Sequence, residues 1–184
     1  MALTESKRIN LGETAPSFEL LDVVTGEFQN LKKLAGPCGT VVLFICNHCP
    51  FVIHINETIV QLANYYKSKG INFIAISSND VEKYPADSPE LMKEVASNKK
   101  YPFPYLYDHS QAVAKLYDAA CTPECYLLNK ELEFEYHGRL DESTPGSKQP
   151  CTGNDLKHAL DCLLNGQENL NKQIPSVGCG IKWK

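Results

Sequence analysis

Nowhere in the 184 residues is there an apolar run long enough to span a bilayer. The N-terminus, MALTESKRIN, lacks the basic start and apolar centre of a secretory leader. A membrane partner is therefore not expected, and the cytoplasm is the expected compartment. A basic stripe is also missing. Lys and Arg number 18 against 22 acidic residues, for a net charge of −4, and the only arginines are Arg8 and Arg139. Nucleic acid is thus an unsuitable partner. No internal repeat and no low-complexity tract interrupts the chain, whose length fits one domain with a substantial core. We place that domain at residues 1–165, followed by a tail, 166–184, without strong periodicity.

Cysteine, by contrast, is plentiful. Eight are scattered along the chain (Cys38, Cys46, Cys49, Cys121, Cys125, Cys151, Cys162 and Cys179), without the regular spacing of a small secreted scaffold. In a reducing compartment most are expected as free thiols, and a dithiol that does close is more often catalytic than structural.

The order of elements gives the fold class. Residues 17–20 and 27–31, around a Thr25-Gly26 turn, read as an N-terminal hairpin. "TVVLFI" (40–45) and "INFIAIS" (71–77) are continuous β-branched runs, as in strands buried on both faces. Between them, Val52, Ile55, Ile59, Leu62, Ala63 and Tyr66 share one helical face. Further helices are expected at 89–99, 110–117 and from about 152, with strands at 104–107, 124–128 and 132–137. This alternation predicts an α/β fold with a mixed central sheet and helices on both faces.

The stretch "FICNHCPF" (44–51) carries the chemistry. Cys46 ends a strand and Cys49 opens a helix. Unpaired N–H groups of a first helical turn favour a thiolate, as would a cationic His48 beside it. Such surroundings lower a cysteine pKa from about 8.5 to about 3.5–7.5. Three-residue spacing lets the two sulfurs close a disulfide without moving the sheet. The first sulfur is expected to be accessible and the second shielded by the helix. No cofactor is implied.

These residues also carry a resemblance over nearly the whole chain. "LGETAPSFEL" resembles the opening of redoxins, "TVVLFICNHCPF" the strand and active-site turn of the thioredoxin superfamily, and "FPYLYDHSQAVAKLYDAACTPECYLLN" the peroxiredoxin-like segment leading to a cis-proline strand. The tail "SVGCGIKWK" is similar as well. The chain is identified on these motifs as a peroxiredoxin-like (AhpC/TSA-type) redoxin with a Cys-Asn-His-Cys-Pro-Phe site. The resemblance implies a thioredoxin-like fold and a redox-active dithiol. It makes Cys46 the attacking thiolate, Cys49 the resolving thiol and His48 an activating neighbour. It also implies a cis bond between Thr122 and Pro123, where the Thr122 backbone would pair with an extended substrate. The implied partners are small-molecule or protein thiols and disulfides, or peroxides, with a reductant that the sequence does not identify.

Three departures from the family pattern bear on the reaction. The peroxidatic Pro-x-x-x-Thr-x-x-Cys is absent in both registers: Gly39 and Leu43 precede Cys46, and Val42 and Cys46 precede Cys49. Ile45 stands where thioredoxin has tryptophan. Thr40 replaces the buried acid six residues before the first cysteine, so no proton acceptor is evident. Thiol–disulfide exchange is accordingly the first reading and a thiol peroxidase using Cys46 the second. The third is a metal-binding or redox-sensing protein without turnover, with Cys46, Cys49, Cys121 or Cys125 and a histidine as soft ligands. Cys121, two residues before the proline, and Cys179, in the tail, are candidates for additional redox thiols, Cys179 by swinging over Cys46. Arg139 is a candidate for orienting an anion, though a surface role suits it better. His54, His137 and His158 read as solvated, and Glu124 as unpaired.

Overall fold

The computed structural model describes residues 3–184. Its strands are β1 (Leu3–Glu5), β2 (Glu19–Asp22), β3 (Phe28–Asn30), β4 (Gly39–Phe44), β5 (Ile71–Ser77), β6 (Tyr105–Tyr107), β7 (Cys121–Thr122), β8 (Glu124–Leu128), β9 (Phe134–Gly138) and β10 (Val177–Gly180). The helices are α1 (Leu31–Leu34), α2 (Pro50–Lys67), α3 (Pro89–Asn98), α4 (Ala112–Leu116) and α5 (Asn154–Asn165), with a 3₁₀ turn at Pro85–Asp87.

Seven strands form one mixed sheet in the order β3-β2-β6-β5-β4-β8-β9. The β4–β5 and β5–β6 pairs are parallel, and β8 runs antiparallel to β4 and β9. Every residue of β4 is buried, as its unbroken apolar run requires of a central strand. Side chains alternate across the sheet. Val41, Leu43 and Ile45 join α2, α3 and α5 on one face, while Val42 and Phe44 meet Val113, Ala114, Tyr117 and Tyr126 on the other. The expected mixed sheet with helices on both faces is present, and the hairpin β2–β3 is its edge.

The unpatterned tail holds a strand. β10 lies between β1 and β7 in a separate three-stranded sheet, with Cys179 opposite Thr122 and Gly180 opposite Cys121. Beyond it, the Lys182 carbonyl accepts the Asp80 N–H (2.8 Å) and the Gln111 side-chain amide (2.8 Å). The last residues of the chain are thereby fastened to the domain.

His137 is not solvated. It is 7 % exposed on β9, and its Nε2 lies 2.7 Å from Glu124 Oε1. Glu124 is fully buried, and its other oxygen accepts the Ala120 and Cys121 N–H groups (2.8 and 3.1 Å). One carboxylate therefore satisfies the backbone leading into β7 and meets the imidazole on β9.

Candidate active site

β4 ends at Phe44 and delivers Cys46 one residue after Ile45, whose N–H still bonds to Ile76 of β5. Cys49 is the N-cap of α2, with extended backbone (φ −71°, ψ 121°), and Pro50 takes the first helical position, where a missing N–H costs nothing. The Thr122–Pro123 peptide is cis. Its neighbourhood meets both sulfurs: Thr122 Oγ1 lies 3.5 Å from Cys46 Sγ, and the Thr122 carbonyl oxygen 3.1 Å from Cys49 Sγ.

Two expectations change here. Cys46 is 1 % exposed, so the first sulfur is not left open to solvent. Nor is the Thr122 backbone free for an incoming chain, because β10 already pairs with it. The cover is the chain's own C-terminal strand.

That strand brings a third sulfur. Cys179 Sγ stands 2.9 Å from Cys49 Sγ, and all three cysteines are free thiols. The tail thus reaches Cys49, where the sequence suggested a swing toward Cys46. Cys121 does not join them. Its sulfur faces Glu124 Oε2 (3.7 Å) and the carbonyls of Pro123 and Ser176 (3.8 and 3.9 Å), and burial pushes its thiol well above the ordinary range. Cys125, on β8, is likewise buried and pushed up, first by burial and then by Glu124.

The three sulfurs do not share charge equally. Cys49 sits centrally: the Cys46 thiol lowers its pKa most strongly, the Cys179 sulfur lies in hydrogen-bond contact at 2.9 Å, and the Val52 and Cys179 N–H groups face it. Against these stands the Thr122 carbonyl, an acceptor only for the protonated form. These contacts outweigh burial and hold Cys49 below the ordinary thiol range. Cys46 is driven well above the ordinary thiol range, because its proton is bonded to Cys49, because it is buried, and because the Asp87 carboxylate is near. Burial and the Cys49 sulfur push Cys179 up to about 12. These contacts favour the charge of the reduced pair at Cys49 over Cys46, the sulfur that the resemblance makes the attacking thiolate. The chief cause is the contact with the Cys46 thiol, to which the Val52 N–H in the first turn of α2 adds.

Asn47 and His48 are held from a distant segment. Asp87, fully buried in the 3₁₀ turn, accepts the Asn47 N–H on Oδ1 (2.8 Å) and the Asn79 side-chain amide on Oδ2 (2.7 Å). The Asn47 side chain donates to the Ala86 carbonyl (2.9 Å). His48 Nδ1 approaches Asp87 Oδ2 to 2.7 Å, an ion-pair distance but off the line of a hydrogen bond, and its ring stacks on Tyr84 at 5.8 Å. His48 therefore faces a buried carboxylate while lying close to Cys46. Asp87 was not singled out in the sequence, where "DSP" (87–89) reads as the cap of α3. Ser88 is that cap, its Oγ accepting the Leu91 N–H. No local pattern reports a contact made 40 residues away.

Among the described residues, one mixed cluster has metal-ligand spacing: Cys46, His48 and Asp87 place donor atoms within 4.8 Å of one another. Both Asp87 oxygens already accept N–H groups, so a metal would compete with the contacts that shape the turn. The ligand set suggested by the sequence, with Cys121 or Cys125, does not assemble. Arg139 is tied through Nε to Asp155 Oδ2 at 2.6 Å. His54 meets Ser143 (2.9 Å) and His158 meets Cys162 (3.5 Å).

The model of the AhpC/TSA family matches residues 11–139, more than half of the sequence. The chain belongs to the AhpC/TSA family. Among solved structures, this AhpC/TSA chain is similar to an uncharacterized conserved protein from Geobacillus kaustophilus, at 51% identity and TM-score 0.98, covering 100% of this chain and 97% of that one. It is also similar to a hypothetical protein from Sinorhizobium meliloti 1021, at 40% identity and TM-score 0.95, covering 98% of each chain. The peroxidoxin BcpB from Mycobacterium tuberculosis shares the fold, at 17% identity and TM-score 0.63, covering 90% of this chain and 100% of that one. No curated protein matches the chain. The thioredoxin-like fold of this AhpC/TSA member stands on these likenesses, and membership of a redoxin family supports an oxidoreductase working through thiols. No helix among the described residues is long and apolar enough to cross a membrane.

Proposed function

We propose that the protein is a thiol–disulfide oxidoreductase whose working pair is Cys46 and Cys49. The observation that carries the reading is the placement of the dithiol: Cys46 and Cys49 flank the strand-to-helix turn, and their sulfurs meet Thr122 of the cis peptide at 3.5 and 3.1 Å. A thiolate is the form that attacks disulfides.

The Cys49 thiolate attacks one sulfur of a substrate disulfide, forming a Cys49–substrate bond and expelling the first substrate thiolate. Cys46 then gives up its proton and attacks Cys49 Sγ. The Cys46–Cys49 bond forms, the mixed disulfide breaks, and the second substrate thiolate leaves with the electron pair. The substrate gains two electrons, and the protein dithiol loses two. His48 lies within 4.8 Å of Cys46 and beside Asp87, and this pair is the proposed acceptor for the Cys46 proton in place of the acid missing at Thr40. Sulfurs this buried meet a substrate only when the covering strand moves aside.

Reduction of peroxide is the second reading and has less support. The threonine and proline of the peroxidatic pattern are absent, and the Arg139 Nε is already committed to Asp155. The test is to treat reduced protein separately with oxidised glutathione and with hydrogen peroxide, following loss of free thiol. The account expects faster loss with the disulfide. A faster reaction with peroxide would put the second reading first.

A further inference from the structure

The site has two sulfurs in reach of Cys49, not one. The second is delivered by a strand whose placement is specific. Gly178 and Cys179 run antiparallel to Thr122, in the position where the Thr122 backbone would receive an extended substrate. Gly178 is required for that approach, since a Cβ there would collide with the Thr122 carbonyl oxygen. β1 holds the strand's outer edge through three residue pairs, Leu3 with Cys179, Thr4 with Gly178 and Glu5 with Val177. Cys179 Sγ then lies 2.9 Å from Cys49 Sγ, and a disulfide needs about 2 Å, so roughly an ångström of side-chain motion would close the bond.

We propose that Cys179 is a third redox thiol, and that β10 acts as a built-in substrate strand taking the disulfide over from Cys46. The inference rests on the exchange reading of Cys46 and Cys49. Cys179 sulfur attacks Cys49 Sγ of the Cys46–Cys49 disulfide. The Cys49–Cys179 bond forms and the Cys46–Cys49 bond breaks. The electron pair of the broken bond goes to Cys46, which takes up the proton Cys179 releases. No net oxidation occurs, and no further reactant is needed. The consequence is functional. Cys46 returns to the thiol form, and the oxidised bond now includes the C-terminal strand β10, paired between β1 and β7.

The test uses the full chain oxidised with oxidised glutathione, acid-quenched, alkylated, digested and mapped for linked peptides. In the wild type, the Cys46–Cys49 and Cys49–Cys179 links are both expected at equilibrium. In Cys46→Ser, and in Cys46→Ala should the serine variant not fold, Cys49–Cys179 should approach one bond per chain. Gly178→Ala should reduce that second link at least tenfold while leaving Cys46–Cys49 formation in place. A wild type that forms Cys46–Cys49 while Cys179 stays fully alkylated overturns the proposal and leaves the exchange reading intact. So does a Cys46→Ser protein carrying only a Cys49–glutathione adduct. A wild type that forms no Cys46–Cys49 bond overturns both. An undiminished Cys49–Cys179 yield in Gly178→Ala overturns the role of the strand.

Discussion

Asp87 Oδ2 lies 2.7 Å from His48 Nδ1, and Asp87 Oδ1 accepts the Asn47 N–H. A fully buried carboxylate from the 3₁₀ turn thus grips both residues between the two active-site cysteines. It also raises the cost of a negative charge on Cys46. Asp87 thereby disfavours charge on Cys46 and holds the His48 ring in the same cluster as that thiol.

Replacing Asp87 with Asn tests that arrangement. The amide keeps the shape but loses the charge, so the His48 ring loses its orienting partner and the Asn47 N–H a strong acceptor. General acid–base groups contribute about 10²–10⁴-fold, and we expect ring closure after the first attack to slow by at least tenfold. Single-turnover release of the second substrate thiol measures it. An unchanged rate would leave Asp87 a purely structural acceptor.

Cys49 makes a prediction in pH. Its folded pKa is held below the ordinary thiol range, chiefly by the Cys46 thiol. An acid depressed on folding adds stability that is fully present above its unfolded value and is lost as pH falls through its folded value. Reduced wild type should therefore lose stability relative to Cys49→Ser as pH drops from the ordinary thiol range toward the folded value. Thiolate absorbance should persist through neutral pH in wild type and vanish in Cys49→Ser. Denaturation midpoints across this window, with the absorbance titration, check both.

The same donors make the pair oxidising. Whatever stabilises the reduced dithiol over the disulfide raises its reduction potential, so the protein should lie above the thioredoxin value of about −270 mV. Substituting His48 with Pro removes the ring that Asp87 orients and should lower the potential, with about 30 mV corresponding to about 1.4 kcal/mol for a two-electron couple. Equilibration with glutathione gives the number.

Sequence patterns carried the central parts of this fold. β5 and β8 occupy the residues that their apolar runs mark, and α2 starts at the proline after Cys49, because both-face burial and helical periodicity are written locally. β1, β7 and β10 were not legible. They are two to four residues long and gain their hydrogen bonds from partners more than fifty residues apart in the chain. The same cause hid the site's details. Cys46 and Cys49 stand out by spacing, but the approach of Cys179 depends on β10, and the grip of Asp87 on a turn forty residues away. His137 was misread because nothing beside it in sequence announces Glu124 on the neighbouring strand.

That Glu124–His137 pair should matter for stability. Glu124 is fully buried and holds His137, the Tyr126 hydroxyl (2.7 Å) and two backbone N–H groups before the cis-proline. Removing one member of such a pair strands the other, at about 3–5 kcal/mol. Glu124→Ala should cost that much in chemical denaturation, whereas an apolar replacement of Glu124 and His137 together should recover part of it. Equal losses in the single and double variants would mean the backbone contacts, not the pair, carry the effect.

The most direct measurement is a bond count. Fully reduced Cys179→Ser protein, which leaves only the proposed pair at the site, is given one equivalent of oxidised glutathione, and the products are mapped. The expected outcome is loss of two protein thiols, release of two glutathione thiols, and a single Cys46–Cys49 bond. A stable mixed disulfide at Cys49 with Cys46 still free, or no reaction of either cysteine, would contradict it.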